Sequence, residues 1–340
     1  MTKKKKTPIG IFAEAVKLYF SNFNQFVKYM TFPVLGQIAG IIITLTCVLI
    51  YSRNLPNLIE RYKIFNDFNT LVLTSVLIAI PGMIILLKAF WEYLVAYGAV
   101  NSMLDNMLKS GKVYDFNAHT ELIKRRTASF VTLWLILGFF ILLAYCPLLW
   151  IPAGVISIYL VLVFQTFTYE PELTPIGCIK QSFNLIKGHF GSTFLLMLFS
   201  GLICWALIPQ IFNYIFDISG INKLLGLLIM PFVAELPISE INTIFIQFSI
   251  PIIKNEDVAI FILNTTIAQI FIQYTLPLRS ILCGLWYKEL NNLLPENKEK
   301  KKSSKKRPSE KLMEESHKKF VKKLDINILK RATEKDSDLE

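Results

Sequence analysis

The sequence has little charge for its length. Only 18% of its 340 residues are charged, whereas 53% are hydrophobic, and the mean hydropathy is +0.47. A soluble domain needs more polar surface than this composition supplies. The low charge therefore excludes an ordinary soluble globular protein and predicts an all-α polytopic membrane protein.

Residues that build reactive centres are also scarce. The three histidines lie far apart in the sequence, and none has a metal-ligand partner at usable spacing. The five cysteines stand mostly inside apolar stretches without a close pair, so neither a disulfide framework nor a zinc site is indicated. A phosphate-binding glycine loop and a nucleophile elbow are both missing. We therefore predict that the protein is not an enzyme, with no catalytic residues, cofactor or metal.

One segment of the sequence occurs twice. The motif TPIG fills residues 7–10 and again residues 174–177. In each copy, threonine is a favourable N-cap and proline a favourable first helical residue. Apolar residues with spacing 3, 4, 3, 4 follow at matching positions, namely Ile9, Phe12, Val16, Tyr19 and Phe23, and Ile176, Ile179, Phe183, Ile186 and Phe190. This spacing predicts two interfacial amphipathic helices from an internal repeat, at Pro8–Lys28 and Pro175–His189.

Long apolar segments predict about six transmembrane helices. A helix needs about 20 apolar residues to cross the hydrocarbon core. The segments that meet this need are about 30–50, 71–100, 128–146, 148–168, 192–216 and 258–287. The uncharged stretch Thr127–Tyr169 is long enough for two crossings, so we expect a hairpin near Cys146–Pro152. Residues 217–257 contain only short apolar runs cut by prolines, which favours re-entrant or interfacial helices and leaves the choice between them open.

The positive charges predict the orientation. A six-span arrangement with an inside N-terminus places 30 of the 36 Lys and Arg residues on the inner side, so both termini should be cytoplasmic. The chain then divides into a basic N-terminus with an interfacial helix (1–29), a membrane domain (30–287) and a lysine-rich tail (288–340). Because the positive charges flank apolar segments or lie in this tail, nucleic acid is not an expected partner.

The lysine-rich tail contains one further helical pattern. Met313, Phe320, Leu324 and Ile328 recur at multiples near 3.5 and are flanked by lysines, which predicts a basic amphipathic helix. Three interpretations stay open for it. The helix binds anionic lipid of the bilayer, it docks on a protein partner, or it stays in solution.

Polar residues inside the predicted membrane helices are the candidate site residues, because such residues are rare there. They are Lys88, Glu92, Asn264, Gln269, Gln273 and Arg279. Lys88 and Glu92 lie one helical turn apart and can pair with each other. The two glutamines belong to a polar stripe that should face the bundle interior. The alternative for the charged residues is an interfacial position, where long side chains reach the headgroups.

The run PELTPIGCIKQSFNLIKGHFG, residues 171–191, resembles a pattern in poorly characterised bacterial multi-pass membrane proteins. That group includes the membrane domain of some glycerophosphodiester phosphodiesterases. The resemblance covers roughly Thr7–Tyr287 and implies a six-helix bundle in the bacterial cytoplasmic (inner) membrane. It implies no catalytic residues, because the phosphodiesterase chemistry belongs to a separate soluble domain, and the 53 residues after Tyr287 are too few for one. The lysine-rich tail departs from the pattern.

Two functions are compatible with these features. The first is a non-enzymatic membrane module that organises or regulates a partner, with the basic tail as its contact. The second is a small transporter or lipid-handling protein, in which the polar residues line a path between the two repeats.

Overall fold

The computed structural model describes residues 7–113, 115–143, 146–236 and 238–293. These residues form helices and turns without a strand, which confirms the predicted all-α polytopic fold. The predicted amphipathic helix of the tail and the basic residues Lys3–Lys6 lie outside the described residues.

The helices follow one another with short connections. They are α1 (Pro8–Ser21), α2 (Phe23–Arg61), α3 (Phe68–Ser110), α4 (Phe116–Lys124), α5 (Thr127–Leu143), α6 (Trp150–Leu160), α7 (Val163–Tyr169), α8 (Pro175–Ile186), α9 (Phe190–Gly201), α10 (Ile208–Ile218), α11 (Ile221–Val233), α12 (Ile238–Gln247), α13 (Asn255–Tyr274) and α14 (Leu276–Leu293). Short 3-10 turns occupy Lys63–Asn66 and Pro147–Leu149, and a π-helical segment, Leu202–Leu207, joins α9 to α10.

Among the described residues, five helical segments are long and apolar enough to cross a membrane. They are α2, α3, Pro147–Tyr169, Phe190–Ile218 and Asn255–Leu293. Two bent pairs, α4 with α5 at 76° and α11 with α12 at 89°, raise the number to seven if each pair makes one crossing. The predicted count of about six lies within this range. The chain turns at Pro147–Leu149, inside the stretch where the sequence predicts a hairpin.

The second long helix, α3, is the central element of the fold. Asp67 caps its start by accepting a hydrogen bond from the Thr70 N–H at 3.0 Å, and Gly111 ends it with φ of 72°. Its 43 residues extend for about 64 Å, twice the roughly 30 Å thickness of the hydrocarbon core. The helix is therefore too long to lie wholly within the hydrocarbon core. Its C-terminal part carries buried residues, among them Val95, Asn101 and Met107, and contacts α7 and α14.

Glycines bring α2 and α3 into close contact. A Cβ atom on Gly40 would lie 2.6 Å from the Leu86 nitrogen, and one on Gly82 would lie 2.5 Å from the Thr44 nitrogen. Gly36 faces the Ala89 methyl group in the same way, at 2.9 Å. The GxxxG spacing of Gly36 and Gly40 thus serves close helix approach, as such motifs do in membrane helices.

The two copies of the repeat fold alike at their start. Thr7 and Thr174 cap α1 and α8, and each Oγ1 accepts a hydrogen bond of 3.2 Å from the N–H three residues on. In each copy the next helix then begins at the matching position, Phe23 or Phe190. The helix predicted over Pro8–Lys28 is therefore too long. It ends at Ser21, because Asn22 is not helical and the following residues belong to α2.

In each amphipathic helix, some residues of the predicted apolar face are buried and others are exposed. The most buried residues are Ile11, Ala15 and Tyr19 in α1 and, at the same repeat positions, Cys178, Ser182 and Ile186 in α8. Ile9 and Ile176, also equivalent, are 66% and 60% exposed. Small side chains at Ala15 and Ser182 let the helices lie close to the bundle. The larger apolar residues beside them are left outward, as expected of helices at a membrane interface.

Candidate functional site

A pocket lies between α2 and α3 where their apolar segments end. Its volume is about 290 Å³, and it is lined by Tyr29, Phe32, Pro33, Lys88 and Glu92. It therefore contains two of the candidate residues. The hydroxyl groups of Tyr29 and Thr120, 2.7 Å apart, connect this region to α4.

The structure does not pair Lys88 with Glu92, although their spacing allows it. Glu92 instead accepts a hydrogen bond from Lys124 in α4, with an Nζ to Oε1 distance of 3.2 Å. The ammonium of Lys88 lies 5.6 Å from the centre of the Phe32 ring. The reason is tertiary, because α4 folds back along α3 and brings a competing cation to Glu92.

Arg279 lies on a different side of α3. Its Nη2 donates to the Ile272 carbonyl at 3.0 Å and to the Tyr93 hydroxyl at 3.4 Å, and its guanidinium is 5.8 Å from the Trp205 ring centre. The described residues give it no carboxylate partner. The three charged candidates therefore do not converge on one site.

The remaining polar candidates separate from one another. Gln273 accepts a hydrogen bond from Gln37 at 3.1 Å and so joins α13 to α2. Asn264 accepts from Asn222 at 3.3 Å and joins α13 to α11. Gln269, in contrast, is exposed, so the prediction that the whole stripe faces the interior is wrong. Gln269 and Gln273 differ in exposure because one side of α13 packs against α2 and another side faces outward.

A buried polar cluster was missed by the sequence analysis. Asn101 of α3 accepts hydrogen bonds through Oδ1 from Ser280 at 2.7 Å and from Gln165 at 3.2 Å, and all three residues are fully buried. Tyr169 donates to the Asn101 carbonyl at 2.9 Å. The Asn101 amide nitrogen and the Gln165 amide oxygen are buried without a partner. The available signal was a lone amide in each of two long apolar stretches, at residues 101 and 165.

The loop before α8 is tied to its surroundings by polar contacts. Glu170 accepts hydrogen bonds from the Tyr287 hydroxyl and from Gln181. Arg126 donates to the Phe167 carbonyl at 2.6 Å and lies over the Phe167 ring at 4.0 Å. These contacts hold the C-terminal end of α7 against α14 and against the residue before α5, so they give Glu170 a structural role.

The polar groups of the described residues stand in separate structural contacts rather than in one reactive cluster. Within the part of the chain that the structure describes, no three His, Cys, Asp or Glu side chains are placed to hold a metal ion. Comparison of the chain with protein-family models, curated proteins and solved structures finds no match. The resemblance to the membrane domain of glycerophosphodiester phosphodiesterases therefore stays a prediction.

Proposed function

We propose that this multi-pass membrane protein is a non-enzymatic module that organises or regulates a protein partner at a bacterial cytoplasmic membrane. Its lysine-rich tail is the proposed contact with that partner. The observation that carries the proposal is the dispersal of the charged candidates. Glu92 contacts Lys124, Lys88 contacts Phe32, and Arg279 contacts Tyr93. Separate packing contacts of this kind suit a non-transporting module, whereas a transport path would bring the charged residues together.

The contact between α2 and α3 further supports this proposal. Gly40 and Gly82 leave no space for a channel between the two backbones at the middle of the spans, since even a methyl group would collide there. The pocket beside Lys88 lies at the end of this contact. A transporter of the alternating-access type instead places its substrate site near the bilayer midplane.

Accessibility of single cysteines separates the module from the alternative transporter. In a chain whose five native cysteines are replaced, Gln273→Cys probes the polar contact between α13 and α2, and Ser219→Cys is the exposed control. We expect a charged, membrane-impermeant thiol reagent to modify residue 219 rapidly and residue 273 hardly at all. Rapid modification of residue 273 would indicate a water-filled path and favour transport.

The partner itself is tested through the tail. A photocrosslinking residue at Phe320 lies on the apolar face of the predicted tail helix, and one at Ser303 lies in the preceding lysine-rich linker. We expect position 320 to crosslink to one protein in native membranes and position 303 to give a weaker, mixed pattern. Crosslinks from position 320 to lipid alone would contradict the proposed protein contact.

A further inference from the structure

Lys88 is a cation in an apolar setting without a counter-ion on the described part of the chain. Its side chain lies beside the Phe32 ring at 5.6 Å, and Leu87 and Ile84, one turn or less away, are 62% and 59% exposed. An ammonium in such surroundings is costly unless it is paired or reaches a polar group. An anionic group from outside the chain would stabilise this ammonium.

The position of Lys88 along α3 indicates which layer of the membrane supplies that partner. The uncharged run Leu71–Leu87 extends for about 25 Å along the helix, close to the roughly 30 Å thickness of the hydrocarbon core. On α2, Phe32 stands near the start of the corresponding apolar segment, Met30–Ile50. Both helices thus place the pocket where the hydrocarbon core meets the phosphate layer.

The charges of the pocket favour an anion. Glu92 is the acidic residue of the lining, and its charge is compensated by Lys124 at 3.2 Å, which leaves the ammonium of Lys88 in excess. Pro33 contributes an acceptor as well. It has no N–H to donate to the Tyr29 carbonyl one turn back, so that carbonyl lacks its usual intrahelical hydrogen bond.

An apolar surface continues from the pocket towards the middle of the spans. Leu35 lies one turn beyond Phe32 on α2, and Ile84 lies one turn beyond Lys88 on α3. Leu35 and Phe32 are each 46% exposed, and Ile84 is 59% exposed. A hydrocarbon chain is the group that matches such a surface next to a headgroup site.

We propose that this pocket binds one anionic phospholipid, with its phosphate on the Lys88 ammonium and an acyl chain along Phe32, Leu35 and Ile84. A headgroup with hydroxyl groups, as in phosphatidylglycerol, also supplies a donor for the Tyr29 carbonyl. This site is separate from the lysine-rich tail and does not depend on the function proposed above.

Native mass spectrometry of the full chain in detergent tests the site. Phosphatidylglycerol and phosphatidylcholine with identical acyl chains are titrated into the wild type, Lys88→Gln and Lys180→Gln. Lys180 is an exposed lysine of α8 outside the pocket lining, so its variant removes the same charge elsewhere. We expect Lys88→Gln to weaken the first phosphatidylglycerol binding event about fivefold, and Lys180→Gln to leave it unchanged.

Further arms make each outcome decisive. Lys88→Arg keeps the cation and should keep most of the preference for phosphatidylglycerol, whereas Phe32→Ala should weaken binding of lipid but not of glycerol 3-phosphate. Equal weakening by Lys88→Gln and Lys180→Gln would show attraction to surface charge only and overturn the site. Equal binding of the two phospholipids by the wild type would overturn it too, as would lipid and glycerol 3-phosphate binding with the same affinity.

Discussion

The two copies of the TPIG segment begin with the same geometry and end differently. Thr7 and Thr174 make identical capping hydrogen bonds, and three equivalent positions are buried in each helix. Yet α1 gives way to α2 across the single residue Asn22, whereas α8 needs Lys187 to His189, with φ of 83° at Gly188. Local sequence thus sets the start of each helix, while tertiary contacts determine the connection between that helix and the next.

The copies diverge further in the helices that follow. Gly36 and Gly40 of α2 correspond to Ile203 and Leu207 in the second copy, which lie in the π-helical segment. The first copy uses glycines to press a regular helix against α3. The second copy has large side chains at these positions, and its backbone widens to a π-helical turn instead. Such turns occur mostly as single-turn bulges inside α-helices. The same repeated segment is therefore followed by two kinds of packing.

Filling the glycine contact should have the largest effect on stability. Gly40→Ala places a methyl group 2.6 Å from the Leu86 backbone, which cannot move aside as a flexible side chain would. We expect a loss near the upper end of the about 1–3 kcal/mol typical of overpacking. Thermal unfolding in nanodiscs measures it.

The matched control for this substitution is Gly138→Ala in α5, where an added Cβ meets nothing within 4 Å. It should leave the melting temperature unchanged or raise it slightly, because alanine is the better helix former. Equal losses of stability for the two variants would show that the close contact of α2 with α3 does not depend on Gly40. The proposed difference in packing between the two copies would then be lost.

Removing the side chain of Asn22 should have the next largest effect. Asn22 accepts a hydrogen bond from the Val113 N–H at 2.9 Å and donates to the Gly111 carbonyl at 3.1 Å, and both Asn22 and Val113 are only 3% exposed. Asn22→Ala leaves buried groups without partners, so we expect a loss of about 2 kcal/mol.

Exposed Asn24 provides the comparison, since Asn24→Ala should change the free energy of unfolding by less than about 0.5 kcal/mol. Chemical denaturation of both variants in detergent gives the difference. A loss for Asn22→Ala no larger than that for Asn24→Ala would mean that the break after α1, like its start, is set locally.

Much of the fold was predictable because bilayer-crossing helices have a strong local signal. Thr7 and Thr174 indicate both caps. The spacing of Gly36 and Gly40 permits a close helix contact, but it is as typical of ordinary glycines in a membrane helix. The ends of the helices were not predictable to the same degree. Nothing local marks Asn22 as a break, because its partners, Gly111 and Val113, lie about 90 residues away in the sequence.

The site was predictable in its residue types but not in its pairings. Lys88 and Glu92 line one pocket because both lie on one face of one helix, as their spacing of one turn indicates. The ion-pair partner of Glu92 could not be predicted, because Lys124 reaches Glu92 only through the folding of α4 against α3. The Asn101 cluster was missed for a related reason. A single amide in an apolar stretch gains meaning only when a second one, here Gln165, is seen to face it.

The two threonine caps should contribute equally and more modestly. Thr7→Ala and Thr174→Ala each remove one hydrogen bond of 3.2 Å to a helix N-terminus, at a cost of about 1 kcal/mol. Serine at either position should restore the stability, since its hydroxyl can cap in the same way. Thermal unfolding of the single and double variants checks additivity. A cost for one cap several times that of the other would show that the repeat is alike in geometry but not in energy.

At neutral pH the smallest effect on stability is expected where the copies differ in chemistry, at Ile11 and the equivalent Cys178. Burial raises the pKa of the Cys178 thiol to about 11; nearby Arg126 opposes this and Glu170 adds to it. The thiol is thus neutral at pH 8 and behaves as a small apolar residue, like the isoleucine it replaces. Its raised pKa favours the neutral form in the folded state. Stability should therefore be constant below pH 8 and fall as the pH rises from about 8.5 towards 11.

Labelling with N-ethylmaleimide at pH 8, followed by mass spectrometry, tests this directly. Only the thiolate reacts, so the folded protein should label at Cys178 more than about a hundredfold more slowly than at an exposed thiol. Exposed Cys146 is the internal reference. Unfolding the chain in denaturant should bring the two rates together, because both burial and the neighbouring charges are then lost. Comparable rates in the folded protein would mean that α8 does not bury this position as α1 buries Ile11, and the equivalence of the two helices would then extend only to their caps.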